Sequence, residues 1–159
     1  MHRSQVLRPK VGMRHMMAVP YVAALGICDE LSHAGIAWPH TVVDRNTREL
    51  ISTLEAHGGY DDHGMFVKIT HRIQDDVEQS IQRRVDAWAA SLTPVPLASV
   101  LDDYANKLVQ LGEEVQVVYP NGTLYARGTF VGVDVWGRAT VRLASGNQIE
   151  FAPEKFGIR

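Results

Sequence analysis

Few residues in this chain could do chemistry, and most have a structural reading. Cys28 is the sole cysteine, so no intramolecular disulfide and no paired-cysteine metal or redox motif can form. It falls on the apolar stripe of a predicted helix, where a small core residue is expected rather than a nucleophile. His57, Asp61, Asp62 and His63 gather nitrogen and oxygen donors, but in a Gly-Gly turn and without a standard ligand spacing, so no metal is expected there. His40 and His71 are placed on neighbouring strands, where a paired or exposed imidazole is the expectation. Trp38, Trp88 and Trp136 read as packing residues, with Trp136 at a hairpin tip where it would be exposed.

The elements that carry these residues follow from periodicity. Val6-Leu7 before Pro9 reads as a short strand. From about Met16 to Ala34, Val22, Leu25, Cys28 and Leu31 recur every three residues, with Tyr21, Ala24 and Ile27 widening the face. Gly35 stands where a left-handed cap ends such a helix. Strands are expected at Ile36–Val43 and Glu49–Ala56, with a polar turn Asp44-Arg45-Asn46-Thr47 between them. The run from His57 to Asp62 reads as a second turn before a strand Met65–Thr70, which together predict an antiparallel meander. Val77, Ile81, Val85 and Trp88 form one helical stripe. Leu97, Leu101, Tyr104, Leu108 and Leu111 form another, and Thr93-Pro94-Val95-Pro96 parts the two.

After Gly112 the period changes to two, with turns at Pro120-Asn121-Gly122, Asp134-Val135-Trp136-Gly137 and Ser145-Gly146-Asn147. Gly128 and Gly132 predict a bend in the long middle strand. The expected architecture is α+β: residues 1–111 as one domain and 112–159 as a small SH3-like β-barrel. The chain has 159 residues, 45% hydrophobic and 21% charged, with a net charge of −2, a composition that supports a packed core. That balance predicts no broad nucleic-acid footprint, and no apolar run reaches membrane-spanning length. A cytoplasmic protein without nucleic-acid or membrane partners is expected.

At this point the chain resembles the biotin protein ligases. The resemblance rests on Ala37-Trp38-Pro39-His40-Thr41, on Asp44-Arg45, and on Thr47-Arg48-Glu49-Leu50-Ile51-Ser52-Thr53-Leu54 after a helix, with an alternating segment that closes at Phe156-Gly157-Ile158-Arg159. It implies a biotin/lipoate-ligase-like antiparallel sheet with helices, truncated at its N-terminus, because the family's Gly-Arg-Gly-Arg-x-Gly-Arg loop has no counterpart here. It also implies a ligand pocket at Trp38, Pro39, His40, Thr41, Arg48, Glu49, Ser52, Thr70 and Arg72, and biotin, ATP and magnesium as the cofactors if ligase chemistry survives.

The departures bear on that chemistry. Where the family has Lys-Trp-Pro-Asn-Asp, this chain has Ala37, then Trp38-Pro39, then His40-Thr41, which removes the carboxylate oxygen that magnesium favours. Glu49 occupies the position of the family lysine that brings two anions together, reversing the required charge; read without the family, it is a solvated strand residue beside Arg45 and Arg48. Ile51-Ser52 replaces a small Ala-Gly pair, and Lys68-Ile69-Thr70-His71-Arg72-Ile73-Gln74 replaces a glycine-rich strand. A non-catalytic relative with a binding or regulatory role, a protein partner and a homodimeric assembly is therefore expected, with no catalytic residue assigned. The alternatives are an active biotin or lipoate ligase, one half of a split ligase, and a module that binds a different small ligand through Glu49 and Arg72.

Overall fold

The computed structural model describes residues 5–36, 58–68 and 70–159. Helices α1 (Met13–Met16) and α2 (Val19–His33) come first, followed by strands β1 (Gly58–Tyr60) and β2 (Phe66–Lys68). Helices α3 (His71–Ala90) and α4 (Leu101–Lys107) precede β3 (Glu114–Val118), β4 (Leu124–Val133), β5 (Ala139–Leu143), β6 (Gln148–Phe151) and β7 (Gly157–Ile158). The fold is α+β, with a two-stranded sheet and a five-stranded antiparallel sheet in the order β6-β5-β4-β3-β7.

Helix α2 opens with Pro20 in its first turn, where a missing N–H costs nothing, and is buried along most of its length. It ends as the sequence predicts. Gly35 takes φ +96°, its N–H bonds the Ser32 carbonyl, and the N–H of buried Ile36 reaches back to the Leu31 carbonyl. This is the paired bonding that a left-handed glycine allows beyond a helix. Helix α3 buries Val77, Ile81, Val85 and Trp88, the expected stripe, and packs along α2.

Gly26 permits that close approach. A Cβ there would stand 2.7 Å from the Ile81 Cα, and Ser80 Oγ donates to the Gly26 carbonyl at 2.8 Å across the same contact.

Three expectations are corrected. Val6-Leu7 is not a strand: the segment lies along α3, Gln5 Nε2 donating to the Glu78 carbonyl at 2.8 Å, with Leu7 half-buried and Val6 exposed. The turn expected at 57–62 falls later, because Gly58–Tyr60 pairs with Phe66–Lys68 and the chain reverses over 61–65. The stripe from Leu97 to Leu111 is helical only over α4; Leu97 is buried from the preceding turn, Leu108 is already extended, and Leu111 is 41% exposed. The Leu97 N–H bonds the Val135 carbonyl on the β4–β5 turn, a tertiary bond that holds Leu97 in the turn before α4.

The C-terminal strands fall where the alternation predicts. Gly122, Gly137 and Gly146 adopt positive φ in the three hairpin turns. Asn121 Oδ1 accepts the Thr123 N–H, and Asp134 Oδ1 accepts the N–H groups of Trp136 and Arg138. The expected bend is a register shift between Phe130 and Gly132, with Gly132 at φ +147°. Gly128 is needed for another reason, since a Cβ there would run into the Arg142 carbonyl oxygen of the neighbouring strand.

One continuous apolar core joins Val22, Leu25, Leu31, Val85 and Leu97 of the helical part to Val117, Phe130, Val141 and Ile158 of the sheet. Tyr21 crosses the same contact, its hydroxyl donating to the Gly137 carbonyl at 3.1 Å. Among the described residues, no helix is long and apolar enough to cross a membrane.

Candidate functional site

Seven of the nine pocket residues that the resemblance implies lie outside the described residues: Trp38, Pro39, His40, Thr41, Arg48, Glu49 and Ser52. The strand expected at Glu49–Ala56 lies there too, as does all but Ile36 of the one expected at Ile36–Val43. Thr70 and Arg72 are described, and both are exposed where β2 gives way to α3. The strand expected at Met65–Thr70, and the strand that the resemblance implies over 68–74, are corrected here. β2 stops at Lys68, and Thr70 is the N-cap of α3 in an extended conformation, its Oγ1 accepting the Ile73 N–H at 3.3 Å. A threonine oxygen that satisfies an orphan N–H starts a helix, so 71–74 become its first turn. Arg72 adds its charge to a helix end whose first turn holds no acidic residue. His71, read on a strand neighbouring that of His40, is the first residue of α3.

The donor-rich turn has a structural task. Asp61 Oδ1 accepts the N–H of His63 at 2.9 Å and of Met65 at 2.8 Å, and Gly64 takes φ +77° to complete the reversal. His57 lies outside the described residues, and among those described no three His, Cys, Asp or Glu side chains gather to hold a metal ion.

Cys28 is 2% exposed. Burial, which penalises the thiolate, pushes its pKa up to about 11; Lys107 pulls it down and Asp29 pushes it further up. At neutral pH it is a thiol inside the core and not a nucleophile. Trp88 is packed, with its Nε1–H donating to the Pro96 carbonyl at 2.9 Å. Trp136 is exposed at the β4–β5 turn, and the Arg14 guanidinium lies 5.4 Å from its ring centre, a cation–π contact tying the N-terminal segment to the sheet.

One feature has no counterpart in the expected pocket. The last turns of α2 and the middle of α3 enclose an open groove of about 380 Å³ lined by Asp29, Glu30, His33, Ser80, Arg83 and Arg84. Arg84 is anchored in it: Nε faces Asp29 Oδ2 at 3.4 Å, an ion-pair distance without hydrogen-bond alignment, and a terminal nitrogen meets Asp103 Oδ2 at 3.0 Å. Its sequence signal is Glu30, a carboxylate among the apolar residues of α2, between Cys28 and Leu31.

Helices packed on antiparallel sheets through one core define an α+β protein. Solved structures place the fold more narrowly. The chain is similar to a biotin protein ligase from Aquifex aeolicus, an arginine-to-glycine mutant in complex with biotin, with a TM-score of 0.64 and 17% identity over 96% of this chain and 75% of that one. The same enzyme in complex with biotin and ATP gives a TM-score of 0.61 and 14% identity, again over 96% and 75%. A further crystal structure of it gives 0.59 and 14% over 92% and 76%. This chain therefore has a biotin protein ligase-like fold. No protein-family model matches the chain, and no curated protein matches it in sequence.

Proposed function

We propose that the chain is a biotin protein ligase-like protein that does not adenylate biotin and that acts by binding, with another protein as its partner. The observation that carries this reading is Glu49, a carboxylate at the position that the resemblance gives to a lysine. Joining a carboxylate to a triphosphate brings two anions together, and a third negative charge there raises the barrier that a cation would lower. His40-Thr41 in place of Asn-Asp weakens the case for magnesium in the same direction. The resemblance adds support at the residue level, since it aligns Thr70 and Arg72 with glycines of the family.

The test is release of pyrophosphate from ATP and magnesium on addition of biotin. The expected rate is at least about a thousandfold below that of an intact ligase, since a lost charge contact and a lost metal ligand are each worth two or three decades. Biotin-dependent release at a ligase-like rate overturns the reading and restores the active or split-ligase alternative. Glu49→Lys alone is expected to leave the rate unchanged, because Ala37, His40 and Thr41 remain.

The same proposal takes 1–111 and 112–159 as its two units, the second closed as an SH3-like barrel. It places the protein in the cytoplasm as a C2 homodimer, in which one self-complementary patch covers a sheet edge on both copies. Sedimentation at micromolar concentration is expected to give twice the chain mass; a soluble monomer removes the dimer from the proposal.

A further inference from the structure

The geometry points to a binding site for a small organic cation, an alkylammonium or guanidinium, in the groove between α2 and α3, with Glu30 as its counter-charge. Glu30 is only 7% exposed, and among the described residues no hydrogen bond or ion pair reaches its carboxylate. Arg84 Nε is the only fully sealed side-chain polar atom without a hydrogen-bond partner among those residues, so the Glu30 oxygens are not sealed and open onto the groove they line. A carboxylate on a residue this buried, with no partner among the described residues and only the groove as its outlet, is poorly compensated, and an arriving cation supplies the missing charge.

The neighbouring groups are already committed. Ser80 Oγ donates to the Gly26 carbonyl. Arg84 lies between Asp29 and Asp103, two carboxylates to one guanidinium. Arg83, the other guanidinium along the walls, is exposed and forms no ion pair with Glu30, so Glu30 is the one lining carboxylate that no cation engages among the described residues. A divalent metal ion is a poor match, because such ions need several converging donors and no such cluster forms among the described residues. The volume, about 380 Å³, sits at the small end of ligand sites and suits a molecule of a few carbons carrying one charge.

The test is a titration of the full-length, ¹⁵N-labelled protein followed by amide resonances. The probes are n-butylammonium and methylguanidinium chloride, against n-butanol, methylurea and sodium chloride at matched concentration. Saturable shifts at 29–33 and 80–87 are expected with the cations alone, with a Kd of about 1 mM. Glu30→Gln is expected to weaken binding at least about tenfold, and Arg83→Ala to preserve or tighten it. Three results overturn the proposal: no saturable shift with either cation, equal shifts with the neutral analogues, or loss of binding on Arg83→Ala with Glu30→Gln unaffected, which would mean that the groove reads an anion. Should Glu30→Gln fail to fold, the contrast of cation and neutral analogue on the unaltered protein still decides.

Discussion

Helices α2 and α3 lie against each other, yet they are built on opposite plans. α2 has 15 residues, ten of them buried around its whole circumference, whereas α3 has 20 residues and buries a single stripe. α2 is held between α3, α4 and the sheet, and small residues such as Ala23, Ala24 and Gly26 let those neighbours approach. α3 has one packed face and leaves Gln82 and Asp86 to bond each other at 2.9 Å on its outer side. The polarity pattern of a helix thus reports how many partners surround it, and the helix with the least pattern is the one on which the most packing depends.

The sharpest break of that contrast is truncation. Leu25→Ala on α2, at a position 1% exposed, is expected to cost about 3–4 kcal/mol, while Gln82→Ala on α3 costs less than about 0.5 kcal/mol. Urea unfolding of both variants measures the difference, and equal losses would dissolve the distinction. Next comes Gly26→Ala, with an expected loss of about 2 kcal/mol as the added methyl meets the Ile81 backbone and forces the helices apart. An unchanged midpoint would mean that the contact between the helices is looser than 2.7 Å implies.

The smallest effect is one of pH. In the unfolded chain Cys28 titrates near its ordinary value of 9.0, and in the fold near 11. The folded state therefore holds the proton more tightly. The stability this contributes is complete below pH 9 and drains away as the pH rises to 11, by about 1 kcal/mol at pH 10. Unfolding of the wild type and of Cys28→Ala across pH 8–11 isolates that slope, which the variant is expected to lack.

Legibility followed the same divide between local and tertiary causes. The α3 stripe, the Gly35 cap and the three hairpin turns were readable because each is set by spacing or by a glycine within a few residues. Gly58-Gly59-Tyr60 read as a turn because its strand character comes from pairing with Phe66–Lys68, not from its own residue types. The late start of α4 goes with a bond from Leu97 to Val135, far along the chain, which holds Leu97 in the turn before the helix. At the expected pocket, Thr70 looked like the last residue of a strand Met65–Thr70 because a β-branched residue after Val67 and Ile69 continues a strand pattern; its capping oxygen was the better guide. Glu30 was legible only as a charge out of place, since the groove it faces takes its other wall from α3.

The strand order β6-β5-β4-β3-β7 has a consequence for how the sheet comes into being. Three of its four seams join strands that follow one another in sequence through turns of a few residues, so each can zip from its own glycine. The fourth seats Ile158 opposite Val117 and must gather the ends of about forty residues, a loop whose closure is entropically slow unless the intervening hairpins have already shortened it. Assembly therefore has a direction: the meander forms first and β7 docks onto a finished edge, a latch that governs how long the sheet stays shut more than how fast it forms.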